Sequence, residues 1–95
     1  MVRVIIERHI KEGKERDLAN LLLELRTKAM HCPGYITGET LRSLDDPSHW
    51  VVISTWSDAD AWTTWVSSPE RQELAAKIEL LLSSPPKTTI FSSIT

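Results

Sequence analysis

Three of the four tryptophans of the chain, Trp56, Trp62 and Trp65, fall within one short stretch, STWSDADAWTTWVSSPE. Indole rings are large, flat and mostly apolar, so they can form the walls of a pocket for a planar aromatic ligand. The same rings can simply fill a hydrophobic core, which is the commoner use of tryptophan. Trp62 and Trp65 are three residues apart and would share one face of a helix. The sequence leaves both interpretations open.

Histidine is the side chain that titrates near neutral pH without help, which makes it the first candidate for a general base. Of the three histidines, His31 ends a predicted helix, where the helix dipole favours a cation, and His49 follows a predicted turn. His9 ends the first predicted strand beside Arg8, and we retain it as a candidate catalytic residue. The dispersed spacing of these histidines predicts no metal site.

Tyr35 and Arg8 are the other polar candidates for a ligand site. The Tyr35 hydroxyl could orient a phenolic substrate, and Arg8 could bind an anionic one; simple packing and a surface ion pair are the alternatives. Cys32 is predicted to be structural, because a helix C-terminus disfavours a thiolate. No phosphate-binding loop or catalytic triad is recognisable.

Composition narrows the function classes. The chain has 95 residues, with 11 basic against 13 acidic side chains, so no basic surface is expected for nucleic acid. Apolar runs are far shorter than the ~20 residues that span a bilayer. With one cysteine and no recognisable signal peptide, we expect a cytoplasmic protein made of a single domain, residues 1–95.

The first half of the chain predicts a strand, a helix and a hairpin. Alternation in VRVIIERH predicts a strand over residues 2–9 with both faces covered. Leucines at three- and four-residue spacing predict a helix from Lys14 to the HCPGY segment, where Pro33 and Gly34 end it. Strands over residues 35–44 and 49–56 are joined by the turn DDPS. Gly38 would weaken its strand unless a bulge or a close neighbour explains it.

The second half predicts two helices and a last strand. Ser57 and Asp58 precede a short helix, and Ser68 with Pro69 begins a longer one. A final strand is expected over residues 87–94. The buried stripe of the longer helix is predicted to contain Leu74, Ile78, Leu81 and Leu82.

This order of elements predicts an α+β, ferredoxin-like βαββαβ subunit, an antiparallel sheet with its helices on one face. The opposite face needs a cover, and a second copy of the chain would supply it as a homodimer. Trp50 is expected at the dimer interface or a sheet edge. The apolar side chains expected on that face are Ile5, Val51, Ile53 and Phe91.

Several segments resemble the antibiotic biosynthesis monooxygenase family of dimeric α/β barrels. They are IKEGKERDLANLL, HCPGYITGETLRSLDDPSHWVVISTW and DADAWTTWVSSPERQEL, which together cover nearly the whole chain in the order of the family. The resemblance implies a pocket between the sheet and the helices. It also implies, for several relatives, an oxygenase that acts on flat, electron-rich compounds.

The resemblance also bears on cofactors. Some members of the family use no metal or flavin, because the deprotonated substrate itself reduces oxygen, and others degrade haem. Trp65 matches the pocket tryptophan of the haem-degrading members, but their haem-ligating histidine falls at Ala75, which argues against haem chemistry here. Another branch has a histidine where Trp65 stands and a second one at the position of Glu70.

Together with these candidate residues, the resemblance implies a small monooxygenase, without metal or flavin, that acts on an aromatic or quinol-type molecule. The alternative is a non-catalytic dimer that binds a small hydrophobic or aromatic ligand. The predicted catalytic residues are His9 and Tyr35, and the predicted substrate-binding residues are Arg8, Trp56, Trp62 and Trp65.

Overall fold

The computed structural model describes residues 1–95 as four strands and three helices. Every predicted element is present; the second and fourth strands end two residues before their predicted ends. In chain order the elements are β1 (Val2–His9), α1 (Glu15–Ala29), β2 (Tyr35–Arg42), β3 (His49–Trp56), α2 (Ala59–Val66), α3 (Pro69–Glu79) and β4 (Lys87–Ser92).

The four strands form one antiparallel sheet in the order β2-β3-β1-β4. The central strand β1 pairs with β3 and β4, and β2 pairs with β3 as the predicted hairpin. This arrangement confirms the ferredoxin-like α+β fold. As in any strand, successive side chains of β1 alternate between the helix-covered face of the sheet and the opposite face.

Side-chain caps set the starts of the two shorter helices. The Asp58 carboxylate accepts a hydrogen bond of 2.8 Å from the Ala61 backbone N–H at the start of α2. The Ser68 hydroxyl accepts one of 3.2 Å from the backbone N–H of Arg71, and Pro69 occupies the first turn of α3. Each cap satisfies a backbone donor that has no partner within the helix, as the sequence predicted.

A tight turn at Gly34 brings the start of β2 against the start of α2. Gly34 has φ of +88°, and its carbonyl accepts a 2.7 Å hydrogen bond from the Ser57 backbone N–H. A Cβ atom at this position would lie 2.5 Å from the Cβ atom of Ala61. Only glycine meets both conditions without strain.

The core lies between the sheet and the helices and has two clusters of buried side chains. One contains Trp56, Trp62 and Trp65, with Val2, Val4, Ile6 and Ala29. The other contains Trp50 with Ile10, Leu18, Leu22, Ile78 and Leu82.

Two expectations about core residues were wrong. Trp50 is only 9% exposed and packs beneath the helices, because it lies on the same face of β3 as Trp56, and it does not lie at an edge. Leu81 and Leu82 lie beyond the last residue of α3, Glu79. Leu82 is nevertheless buried, since a backbone bridge to Ile10 holds it against the core.

The sheet face opposite the helices carries apolar side chains. Ile5, Val51 and Ile53 lie side by side in neighbouring strands and are half-buried, and Phe91 on β4 is 50% exposed. These four residues share that face, as predicted. None of the helices is long and apolar enough to cross a membrane.

Candidate active site

A cavity of about 50 Å³ lies between the helix-covered face of the sheet and the helices. This volume holds a few water molecules, whereas sites for drug-sized ligands begin at roughly 300 Å³. All three helices and three of the strands contribute to its wall. The residues that line the cavity include Arg8, Arg26, Tyr35, Gly38, Glu39, Thr40, Ser54, Trp56, Trp62, Trp65 and Arg71.

The three clustered tryptophans are both core and cavity wall. Trp56, Trp62 and Trp65 are 1%, 6% and 4% exposed, and all three line the cavity. The rings of Trp56 and Trp62 meet edge-to-face, with centroids 5.7 Å apart and planes at 68°. Both uses of indole that the sequence left open therefore apply to the same rings.

Trp56 is held from two sides. Its indole Nε1 donates a 3.1 Å hydrogen bond to the hydroxyl of Ser54, two residues earlier on the same face of β3. Its ring also meets the ring of Tyr35 edge-to-face, with centroids 5.3 Å apart. This part of the wall is rigid because its buried polar atom is satisfied and its rings are packed.

Gly38 makes room for the side chain of Tyr35. A Cβ atom on Gly38 would lie 2.7 Å from the Tyr35 hydroxyl oxygen. The register of β2 against β3 also shifts between Tyr35 and Thr37, which marks a bulge. The bulge and the close neighbour together explain a glycine inside this strand, and they direct the phenol into the cavity wall.

Arg8 is a buried cation in this wall. It is 4% exposed, and its Nε atom has no hydrogen-bond partner. Burial, and then the nearby charge of Arg71, lower the pKa of Arg8 to about 10, against the opposing effect of Glu79. The guanidinium therefore remains protonated at neutral pH.

Arg71 is a second buried cation in the same wall. It is 9% exposed, its Nε atom has no partner, and its guanidinium lies 5.9 Å from the ring centroid of Trp62. Burial lowers its pKa, and Glu79 again opposes the shift. Neither Arg8 nor Arg71 has a carboxylate within 4.0 Å, since the ion pairs of the chain are Glu7–His49 and Glu73–Lys77.

Arg71 is not among the predicted site residues, although the sequence contains a signal for it. Arg71 precedes Leu74 by three residues and Ile78 by seven, so it extends the buried stripe of α3 back by one turn. The predicted stripe contains apolar residues only. An arginine in line with such a stripe is a candidate for a buried charge.

His9 does not line the cavity. Side chains alternate along β1, so Arg8 points towards the helices and His9 towards the opposite face. There its ring stacks on that of His49, with centroids 4.5 Å apart. The Nε2 atom of His49 lies 3.3 Å from a carboxylate oxygen of Glu7. The structure therefore does not bring His9 together with Arg8 in the cavity, and the catalytic role of His9 stays a prediction.

Cys32 is half-buried at the end of α1, and its Sγ atom lies 3.8 Å from the Lys28 carbonyl oxygen. Burial, and then the charge of Glu70, raise the pKa of this thiol. It is therefore less reactive than an exposed cysteine. No three histidine, cysteine or acidic side chains come together closely enough to hold a metal ion.

The chain is an α+β domain with an aromatic-lined cavity between its antiparallel sheet and its helices. The family model described as antibiotic biosynthesis monooxygenase matches residues 1–77, most of the chain. The chain belongs to the antibiotic biosynthesis monooxygenase family.

The individual relatives have low sequence identity to this chain. Protein SchA of Streptomyces halstedii is 26% identical over 78 residues, which are 82% of this chain and 20% of that protein. The chain thus spans about a fifth of the length of the curated relatives it matches.

Solved structures share the fold. A conserved protein from Methanosarcina mazei superposes with a TM-score of 0.90 at 19% identity, over 95% of this chain and 89% of the other. A point mutant of SnoaB, a cofactor-independent oxygenase from Streptomyces nogalater, gives a TM-score of 0.90 at 17% identity, over 99% and 93% of the two chains.

Proposed function

We propose that this chain is a small monooxygenase domain that oxidises a phenol- or quinol-type aromatic molecule in the cavity, without metal or flavin. The observation that carries the proposal is the cavity itself, which is lined by three indoles, the Tyr35 phenol and the guanidiniums of Arg8 and Arg71. Family membership supports the reaction class. The description of SnoaB as a cofactor-independent oxygenase supports a reaction without a cofactor.

The proposed reaction needs no external reductant. A phenol that loses its proton becomes an electron-rich anion that can reduce O₂. One oxygen atom forms a new carbonyl on the ring and the other leaves as water, taking up the phenolic hydrogen and the hydrogen of the oxidised ring carbon. The substrate supplies every electron and becomes a quinone.

The charged and polar side chains of the cavity would stabilise the substrate anion. Arg8 and Arg71 would lower the pKa of a phenol placed beside them, because an opposite charge favours the anion. The Tyr35 hydroxyl would donate a hydrogen bond to the substrate or relay its proton. Trp62 and Trp65 would hold the ring in place. His9 takes no part in proton transfer in this cavity, because its side chain lies on the opposite face of the sheet.

A substrate ring needs more room than the cavity has in this structure. The exposed side chains of Arg26 and Thr40 lie at its mouth. Side-chain rearrangement on binding is common and requires little backbone movement. We therefore place the substrate ring at the mouth, with its oxygen directed inward to the guanidiniums.

We further propose that two copies pair through the sheet face opposite the helices. That face carries Ile5, Val51, Ile53 and Phe91, and covering it would bury an apolar surface. The helix-side cavities would then lie on the outside of the homodimer, still accessible to ligands.

A second candidate function is binding without catalysis. The cavity wall contains no histidine, aspartate or cysteine, so no group in it titrates near neutral pH unaided. A domain that binds or senses an aromatic anion needs no such group.

Oxygen uptake separates the two functions. The protein is supplied with a panel of naphthols and naphthalenediols in an oxygen electrode, and the product is analysed after reaction in ¹⁸O₂. Protein-dependent uptake with one labelled oxygen in the product supports the monooxygenase. Saturable binding of the same compounds with no uptake above the protein-free rate supports the binder and refutes the enzyme.

Tyr35→Phe is the matched variant for the role of the hydroxyl. It removes one oxygen atom and keeps the ring that packs on Trp56. We expect the oxidation rate to fall by about 10²-fold or more while the affinity for substrate changes little. An unchanged rate would remove Tyr35 from the proposed mechanism.

A further inference from the structure

Arg8 and Arg71 are buried cations without a carboxylate partner. Charged side chains are almost never fully buried unless they are paired. These two are 4% and 9% exposed, and neither has a carboxylate within 4.0 Å. The Nε atom of each is buried and unsatisfied.

Three further features make their positions unfavourable for the folded protein. The two cations repel each other, as the effect of Arg71 on Arg8 shows. Arg71 lies in the first turn of α3, where the positive end of the helix dipole disfavours a cation. Both side chains also line an apolar cavity, where attraction and repulsion between charges are stronger than in water. Within the chain, the charge of Glu79 and the ring of Trp62 offset these unfavourable contributions only in part, since the pKa values of both arginines remain lowered.

We propose that Arg8 and Arg71 form an anion-binding subsite, and that the ligand of the cavity is an aromatic ring carrying an oxyanion. An oxyanion between the guanidiniums would accept hydrogen bonds from both, satisfy the two Nε atoms and neutralise part of the charge. The adjoining indoles would hold the ring. This inference rests on the proposed use of the cavity and narrows its substrate class.

The carboxylate of Glu79 is the internal competitor for this role, because it influences the pKa of both arginines. The Glu79 side chain is exposed and forms no ion pair with the buried guanidiniums. Glu39 contributes to the cavity wall, but it pairs with Ile53, so its side chain lies on the opposite face of the sheet. The hydrogen-bonding positions of the two guanidiniums are therefore left to a ligand.

The oxyanion has two chemical sources, a carboxylate that the ligand already carries or a phenolate formed on binding. Three probes of one ring system distinguish them: 2-naphthoate, 2-naphthol and the neutral 2-naphthalenemethanol. Their dissociation constants are measured by calorimetry and tryptophan fluorescence on the full chain. Absorbance reports the pKa of bound 2-naphthol.

The variants are Arg8→Met and Arg71→Met, with Arg16→Met as the matched control, because Arg16 is exposed on α1 and outside the cavity. We expect naphthoate to bind about 10- to 100-fold more tightly than the alcohol, or the pKa of bound naphthol to fall by about one unit or more. Each cavity variant should abolish that preference while the alcohol binds within about threefold of its original affinity. Arg16→Met should change nothing.

Two results would overturn the inference. In the first, the wild-type protein shows neither a preference for naphthoate nor a lowered naphthol pKa. In the second, the cavity variants keep the wild-type preference. Because binding is measured without turnover, this test and the oxygen-uptake test can fail independently. An oxygenase that acts on neutral ligands would show no preference for the anion but would still consume oxygen. A protein that only binds anions would show the preference and consume no oxygen.

Discussion

Arg8→Met should stabilise the folded protein. Folding lowers the pKa of Arg8 from the ordinary value of an arginine to about 10, because burial and the charge of Arg71 disfavour the cation. At ~1.36 kcal/mol per pKa unit, this lowering opposes folding with a protonated Arg8 by about 3 kcal/mol. Methionine keeps much of the buried side-chain volume and carries no charge. We therefore expect a gain of about 1 to 3 kcal/mol in the free energy of unfolding, or a rise in Tm of about 5 to 15 °C.

The sign of the pKa shift also predicts how this gain depends on pH. A lowered pKa means that folding disfavours the protonated form of Arg8. The free-energy penalty is therefore complete below the folded pKa of about 10 and is relieved as the pH rises from there towards the ordinary pKa of arginine. The advantage of the variant should therefore be constant between about pH 6 and pH 9.

Urea denaturation followed by tryptophan fluorescence measures this effect, at one protein concentration because dimerisation would shift the transition. Arg16→Met is the control, and an exposed substitution of this kind should stay within about 0.5 kcal/mol of the wild type. A variant at Arg8 that is less stable than the wild type by more than about 1 kcal/mol would refute the reasoning. It would show that the guanidinium is held by contacts that favour folding.

Three further substitutions test other parts of the structure. Gly34→Ala should lower the free energy of unfolding in urea by about 2 kcal/mol or more, because its φ is +88° and its Cβ atom would collide with Ala61; wild-type stability would refute the turn. Gly38→Ala should displace the Tyr35 phenol and cost about 1 to 3 kcal/mol, with a changed near-ultraviolet spectrum as the readout; an unchanged spectrum would count against that contact. Ile53→Asp should convert the proposed homodimer to monomers in sedimentation; a persisting dimer would place the interface elsewhere.

Most of the fold was predictable from the sequence because local signals agreed with one another. The Asp58 and Ser68 caps, the glycine turn and the spacing of Leu18 and Leu22 all define elements that the structure contains. The error at Leu82 arose because helical spacing continues past the end of α3. Burial of that residue depends on a contact with distant Ile10, which no local pattern shows.

The candidate site was less predictable, because its charges violate the rule that buried residues are apolar. The alternation of Val4 and Ile6 already placed Arg8 on the buried face of β1 and His9 on the other. Chemical reactivity, rather than that alternation, made His9 the candidate. A buried cation was not expected at Arg71, because the helix dipole disfavours a cation in the first turn of a helix.

The conformation of the tryptophans could not be predicted, because their sequence pattern serves a core and a cavity equally well. The edge-to-face contact of Trp56 and Trp62 depends on how β3 and α2 meet across the sheet. The same holds for the close approach of Gly38 to the Tyr35 hydroxyl, which requires the bulge in β2.

A crystal structure of the protein with 2-naphthoate would show directly whether the two buried arginines bind an oxyanion. We expect the ring to lie against Trp62 and Trp65 and the carboxylate to lie within about 3 Å of guanidinium nitrogens of Arg8 and Arg71. A ligand bound elsewhere, for instance on the sheet face beside His9, with the two guanidiniums still unpaired, would contradict it.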